Sequence, residues 1–305
     1  MGFLYFLEEL RMPVLNEMML LITKLGEETA FLVAAMIVFW CVDKKKGYYV
    51  MAVGFLGTML NQFLKLTFQE PRPWIKDPSF TILEQAREAA AGFSFPSGHS
   101  TSAVGTFGAL AAISEKKWID YICVSICVLV PFSRMYIGVH TPMDVIAGAA
   151  LAAVLVWMLR PMCYLKTDRP MRDIQGLMLG LAVTLLLFTM YYPFEMDPDQ
   201  LHNLESGNKN AYTMLGAIAG VMIMYPLETK YVKFETKAVW WAQILKVIGG
   251  LLVVLAVKEG LRSPLEALFH GHMLARAVRY GLIVIAAGAV WPVTFRWFSK
   301  LGAKK

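Results

Sequence analysis

Along the chain, apolar residues gather into runs near the length that crosses a bilayer, without the short-period alternation of soluble helices. The runs fall near residues 27–42, 47–67, 101–114, 118–138, 143–163, 174–192, 211–227, 239–257 and 274–297, which predicts about nine transmembrane helices. The first stretch differs, because Glu8, Glu9, Arg11 and Glu17 interrupt it. Residues 1–25 therefore read as an interfacial amphipathic helix and not as a cleaved signal peptide. The expected fold is all-α, a polytopic transmembrane helix bundle, with residues 26–192 as its core and residues 193–305 as a three-span C-terminal extension.

Composition supports the membrane as solvent. Of 305 residues, 57% are hydrophobic and 17% charged, too few charges to coat a soluble particle of this size. The formal net charge of +6 would suit nucleic acid if it were concentrated in a patch or tail, but the basic residues lie in short loops between spans. No nucleic-acid partner is expected. Cys41, Cys123 and Cys127 fall inside spans and Cys163 at the end of one, with no CxxC spacing, so they read as apolar filler.

Lysine and arginine in short loops stay on the cytoplasmic side, which orients the spans. Lys44, Lys45 and Lys46 follow the first span, and Lys116 and Lys117 the third. Arg160, Lys166, Arg169 and Arg172 follow the fifth, Lys230, Lys233 and Lys237 the seventh, and Arg296, Lys300, Lys304 and Lys305 the last. The acidic connection 191–210 falls on the opposite side, as do segment 68–100 and the turn around His140. The N-terminus is thus expected outside, the C-terminus in the cytoplasm, and the chemistry on the extracytoplasmic face.

Three segments carry that chemistry. In 65–73, Lys65 closes a span and Arg72 lies between prolines that forbid helix; alone, the pair reads more readily as a snorkelling lysine and a loop arginine at the headgroup boundary than as a binding site. In 94–100, Ser97 is placed to cap a helix whose first free N–H groups belong to Gly98, His99 and their neighbours, an end that binds anions or is simply capped. In 132–144, Arg134 ends a span, His140 sits in the following turn, and Thr141–Pro142 starts a helix. Asp144, four residues after His140, is placed either to accept from one ring nitrogen, leaving the other nucleophilic, or to stabilise the helix dipole. Three cations, two histidines, one carboxylate and a glycine-lined helix end on one side of a membrane are the inventory of phosphoryl transfer.

Lys65–x6–Arg72–Pro73, Pro96–Ser97–Gly98–His99 and Ser133–Arg134–x5–His140–x3–Asp144 resemble the three signature motifs of the type 2 phosphatidic acid phosphatase superfamily. The resemblance implies a metal-independent, two-step hydrolysis without a cofactor. In it His140 attacks phosphorus, His99 protonates the leaving oxygen and Asp144 orients His140. Lys65, Arg72, Arg134, Ser97 and Gly98 hold the phosphate, and water releases the phosphohistidine. The expected substrate is a lipid phosphate or diphosphate of polyprenyl diphosphate, phosphatidate or phosphatidylglycerophosphate type, with membrane lipids as neighbours. A soluble sugar phosphate is the alternative, since the span layout is similar to that of glucose-6-phosphatases, and a phosphate-binding transporter without catalysis is a further one. Vanadium haloperoxidases share the pocket type but are soluble. No Asn-x-Ser/Thr sequon occurs, which favours a bacterial source.

Lys246, Lys258, Glu259, Arg262, Arg276 and Arg279, near the last two spans, read as helix-end snorkelling or as a substrate path. His270 and His272 read as loop histidines more readily than as metal ligands. Trp240, Trp241, Trp291 and Trp297 suit an interfacial belt.

Overall fold

The computed structural model describes residues 1–87, 90–164, 169–194 and 201–301, and among them all regular structure is helical. The helices are α1 (Gly2–Glu9), α2 (Pro13–Thr23), α3 (Glu28–Ile37), α4 (Lys44–Phe68), α5 (Pro73–Lys76), α6 (Gly98–Ile113) and α7 (Lys117–Tyr136). They continue as α8 (Pro142–Leu159), α9 (Arg169–Tyr191), α10 (Leu201–Leu227), α11 (Trp240–Gly260), α12 (Arg262–Leu268), α13 (Leu274–Ile285) and α14 (Phe295–Phe298).

Among the described residues, seven helical segments are long and apolar enough to cross a membrane, and Pro13–Gly26 with Glu28–Val42, bent by 54°, makes an eighth if counted as one span. Their outward faces carry large exposed apolar side chains such as Ile146, Trp157, Leu187 and Leu252, the surface an integral membrane protein turns toward lipid. Two of the nine expected spans differ from the hydropathy reading. The first is one limb of the bent pair, and the third is α6, whose 16 residues fall just short of the usual spanning length.

The N-terminal stretch, expected as one helix over 1–25, is two. Pro13 starts α2 with an extended Met12 before it, because proline supplies no N–H to continue α1. Leu4 is buried with Phe80 and Ile82, and the Arg11 guanidinium donates to the carbonyls of Tyr136 (3.1 Å) and Thr81 (2.9 Å). This segment therefore braces the turn that precedes His140.

Two compact units divide the chain. Met1–Leu32, Tyr49–Tyr164 and Pro193–Gly207 form one; Val33–Tyr48, Leu165–Tyr192 and Asn208–Lys305 form the other, so the units interleave in sequence. In the first, α6 is the hub for α4, α7 and α8. Thr101 Oγ1 on α6 donates to Gly148 O of α8 (3.1 Å) and accepts from Asn61 Nδ2 of α4 (3.0 Å). A Cβ at Gly148 would sit 2.5 Å from Ser97 O, so only glycine lets α8 approach the first turn of α6 this closely.

In the second unit, Glu228 is buried and pairs with Lys44 at 2.6 Å, as a carboxylate excluded from water requires. Lys246, expected to snorkel, is instead fully buried. Its ammonium donates to the carbonyls of Thr236 (3.0 Å) and Glu235 (3.3 Å) and lies 4.7 Å from the Phe295 ring centre. Trp291, expected in the aromatic belt, packs inward against Gly249 and Gly250 and donates to Lys246 O at 3.0 Å. Helices α10 and α13 meet through glycines, and a Cβ on Gly216 would fall 1.9 Å from Ala277 O. Gly216→Ala is therefore expected to cost about 1–3 kcal/mol by overpacking, lowering the melting midpoint in detergent by several degrees. An unchanged midpoint in scanning fluorimetry would contradict this packing.

Candidate active site

The site lies in the first unit, where the C-terminal ends of α4 and α7 meet the N-terminal ends of α6 and α8. All eight residues expected from sequence stand on these ends or on the loops joining them.

Lys65 occupies the last turn of α4, is buried, and donates through Nζ to the Phe93 and Ser94 carbonyls. Arg72 is extended just before α5, as the flanking prolines dictate, and is buried too. Its Nε donates to Gly92 O (3.0 Å), Nη2 to Ala91 O (3.1 Å) and Nη1 to Val139 O (2.9 Å). These bonds tie segment 91–92 to the His140 turn. Arg134, at the end of α7, is fully enclosed; Nη1 donates to Thr23 Oγ1 at 2.8 Å, while its buried Nε has no hydrogen-bond partner. Such an orphan donor is costly unless a bound anion satisfies it.

Ser97 caps α6 as expected, accepting from the N–H of Ser100 (3.4 Å) and from its hydroxyl (2.9 Å). Its own N–H donates to Asp144 O at 2.9 Å, which joins the start of α6 to the start of α8. Gly98 opens α6, and the N–H groups of this first turn are the ones a helix leaves without partners. The side chain of half-buried His99 makes no hydrogen bond to a described residue.

His140 is 1% exposed, and its ring nitrogens face different groups. Arg72 Nη1 lies 2.9 Å from Nε2 and 3.4 Å from Nδ1. A guanidinium only donates, so the shorter contact puts the lone pair on Nε2 and the proton on Nδ1. Nδ1 faces Ser94 Oγ at 3.4 Å and Asp144 Oδ2 at 3.6 Å. The direct hydrogen bond expected between Asp144 and His140 is thus longer than a hydrogen bond allows. Asp144 Oδ2 instead accepts from the Thr141 N–H (2.7 Å) and from the Ser94 hydroxyl (2.7 Å), while the Asp144 N–H donates to Thr141 Oγ1 (3.3 Å). The carboxylate caps α8 and faces the imidazole without a direct hydrogen bond to it. Ser94, buried between Asp144 and His140, went unnoticed in the sequence reading.

Burial first, then the charges of Arg72, Arg134, Lys65 and, least, His99 hold the His140 imidazole well below its ordinary pKa. It stays neutral where an exposed histidine would protonate. Lys65, Arg72 and Arg134 surround it with one buried carboxylate, Asp144, among them; half-buried Glu27 also attracts Arg134. The excess positive charge suits a phosphate, whose oxygens match guanidinium and ammonium donors. Phe68 at the end of α4, Ile75 on α5, and Met143 and Ile146 in the first turns of α8 are exposed apolar side chains at these ends.

Residues 46–168 match the family described as the PAP2 superfamily, and residues 212–305 match one described as PAP2 superfamily phosphatase, transmembrane extension. The chain is similar to phosphatidylglycerophosphatase B of Bacillus subtilis, 31% identical over 164 residues that cover 50% of this chain and 76% of that one. It is also similar to an undecaprenyl-diphosphatase of Sulfolobus acidocaldarius, 25% identical over 170 residues, covering 55% of this chain and 79% of the relative. Undecaprenyl-diphosphatase BcrC of Bacillus subtilis is 29% identical over 113 residues, covering 37% of this chain and 55% of the relative. No solved structure matches significantly.

Proposed function

We propose, since the chain belongs to the PAP2 superfamily of membrane phosphatases, that it hydrolyses a lipid phosphate or diphosphate through a phosphohistidine on His140. The observation that carries this reading is the arrangement around His140: a neutral imidazole with its lone pair on Nε2, beside a guanidinium placed for phosphate oxygens.

In this reading the phosphate enters between Lys65, Arg72, Arg134 and the first turn of α6, and Arg72 Nη1 turns from Nε2 to an equatorial oxygen. The Nε2 lone pair then forms a bond to phosphorus as the bond to the leaving oxygen breaks, and His99 supplies the proton that oxygen needs. Asp144 and Ser94 hold the Nδ1–H side of the ring and stabilise the charge it gains. In the second step water gives a proton to His99 and attacks phosphorus, the P–N bond breaks with its electron pair returning to Nε2, and phosphate leaves. No step calls on a metal ion, because three fixed cations occupy the positions around the transferring group.

Two facts favour a lipid substrate. The relatives named above are described as acting on undecaprenyl diphosphate and phosphatidylglycerophosphate, and the exposed apolar side chains of Phe68, Ile75, Met143 and Ile146 offer a landing for an acyl or prenyl tail. With the charge alternation of the loops, the pocket is assigned to the extracytoplasmic face.

The test compares a polyprenyl diphosphate, a phosphatidate, a phosphatidylglycerophosphate and a hexose phosphate on purified protein in detergent with EDTA. Release from at least one lipid at a kcat/KM far above that of the sugar is expected. Preference for the hexose phosphate would overturn the lipid reading, and abolition by EDTA the metal-independent one.

The neutral His140 also sets the pH profile. Because its pKa is lowered, the nucleophilic form persists below the ordinary histidine value of about 6.5. The acid limb of kcat/KM, corrected for the substrate's own second ionisation near about 6, is expected below that value. A limb at or above it would contradict the burial and charge described for His140.

A further inference from the structure

Arg279 lies in the second turn of α13, within the spanning segment Leu274–Phe298, and is 9% exposed. Its Nε is buried without a hydrogen-bond partner. A side chain near a helix end would be free to snorkel, yet this one is enclosed, and no carboxylate among the described residues pairs with it. Arg276, half-buried and one turn earlier, is held by a single bond: its Nε donates to Thr213 Oγ1 at 2.6 Å. Thr213 in turn donates to Lys209 O at 2.7 Å, so the hydroxyl is fixed and the two Nη groups of Arg276 remain without partners among the described residues.

One ring gathers the two guanidiniums. Arg276 Cζ lies 5.4 Å and Arg279 Cζ 5.8 Å from the centre of Tyr280. Both arginines stand in the first two turns of a helix with no acidic residue in its first turn, where the helix dipole adds further positive charge. His272 leaves this balance unchanged, since it caps α13 by accepting from the Leu274 N–H at 3.1 Å. Two cations without a carboxylate partner among the described residues, and a positive helix end, inside a membrane segment are a heavy electrostatic cost unless an anion joins them. Planar forks of this kind match phosphate oxygens. On the same helix Leu274, Val278 and Leu282 are exposed four residues apart, an apolar stripe whose Leu282, three residues after Arg279, borders that arginine.

We infer that Arg276 and Arg279, flanking Tyr280, form a second phosphate-binding site within the C-terminal unit, one that holds a phosphate-bearing anion without hydrolysing it. The apolar stripe favours the headgroup of an anionic membrane lipid as its source, with free phosphate as the other. Nothing in the phosphatase mechanism uses these residues.

Native mass spectrometry of the purified protein tests this, with phosphatidylglycerol and phosphatidylcholine as probes. Phosphatidylglycerol is a diester and offers no phosphomonoester to the His140 pocket, and any lipid bound there is common to wild type and variants. Wild type is expected to retain phosphatidylglycerol at least about tenfold more tightly than Arg279→Gln or Arg276→Gln, and phosphatidylcholine to show no such difference. Displacement of the lipid by inorganic phosphate would identify the phosphate group alone as the ligand; resistance to displacement would identify the intact lipid. Should Arg279→Gln fail to fold, Arg276→Gln, at a half-buried position, gives the same reading. Equal phosphatidylglycerol retention by wild type and the folded variants overturns the inference.

Discussion

His140→Ala is expected to abolish phosphate release, by at least about 10⁴-fold in kcat, while the protein still purifies as a monodisperse species. The split between the two readouts follows from the site. The ring makes its shortest contact with Arg72 Nη1, and that guanidinium keeps three backbone carbonyl partners after the ring is gone: those of Gly92, Ala91 and Val139. Truncation therefore removes the nucleophile without unhooking the loops that carry it. Wild-type turnover by the variant would refute His140 as the attacking group. A rate only a few-fold lower would assign the chemistry to water activated elsewhere in the pocket.

Asp144→Asn is expected to lower kcat by about 10² to 10⁴-fold with little change in KM, because its role develops with the charge on the imidazole and not with substrate binding. The isosteric amide keeps one acceptor for the Thr141 N–H that caps α8, so the fold is retained. An amide oxygen in the place of Oδ2 can still accept from both that N–H and the Ser94 hydroxyl, but the ring loses its counter-charge. Ser94→Ala is the matched control. It removes the group between carboxylate and imidazole but leaves the charge, and so should fall between wild type and Asp144→Asn. Equal loss of kcat and rise of KM in Asp144→Asn, read from full saturation curves, would mean that the carboxylate acts on binding instead.

Much of this architecture is legible in the amino-acid sequence, for identifiable physical reasons. A lipid solvent demands about twenty apolar residues per crossing, so most spans are visible as runs of hydropathy. Proline at 71, 73 and 142 and serine at 97 mark where helices stop and start, and those ends carry Arg72, His140, Gly98 and Asp144. What hydropathy missed depends on packing between distant segments. Ser94 meets Asp144 only because Ser97 N–H bonds to Asp144 O across 47 positions, and no local spacing encodes that contact. Lys246 and Arg279 read as snorkelling cations since hydropathy sees only their place near a helix end; their burial depends on Phe295, Thr236 and the glycine-mediated approach of α10 to α13. The shortness of α6 likewise follows from its start at Ser97, set by the loop and not by apolar content. The break at Pro13 was open to view, and the apolar face running across it concealed two helices as one.

The central claim is a covalent bond between phosphorus and His140 Nε2, and rapid quenching tests it most directly. Protein mixed for milliseconds with a lipid substrate labelled in its terminal phosphate is stopped in alkali and digested. Label that is stable in base, lost in acid, and confined to the peptide bearing His140 is expected, with none in His140→Ala. Turnover in the wild type with no such label at any quench time, or label on another residue, would contradict it.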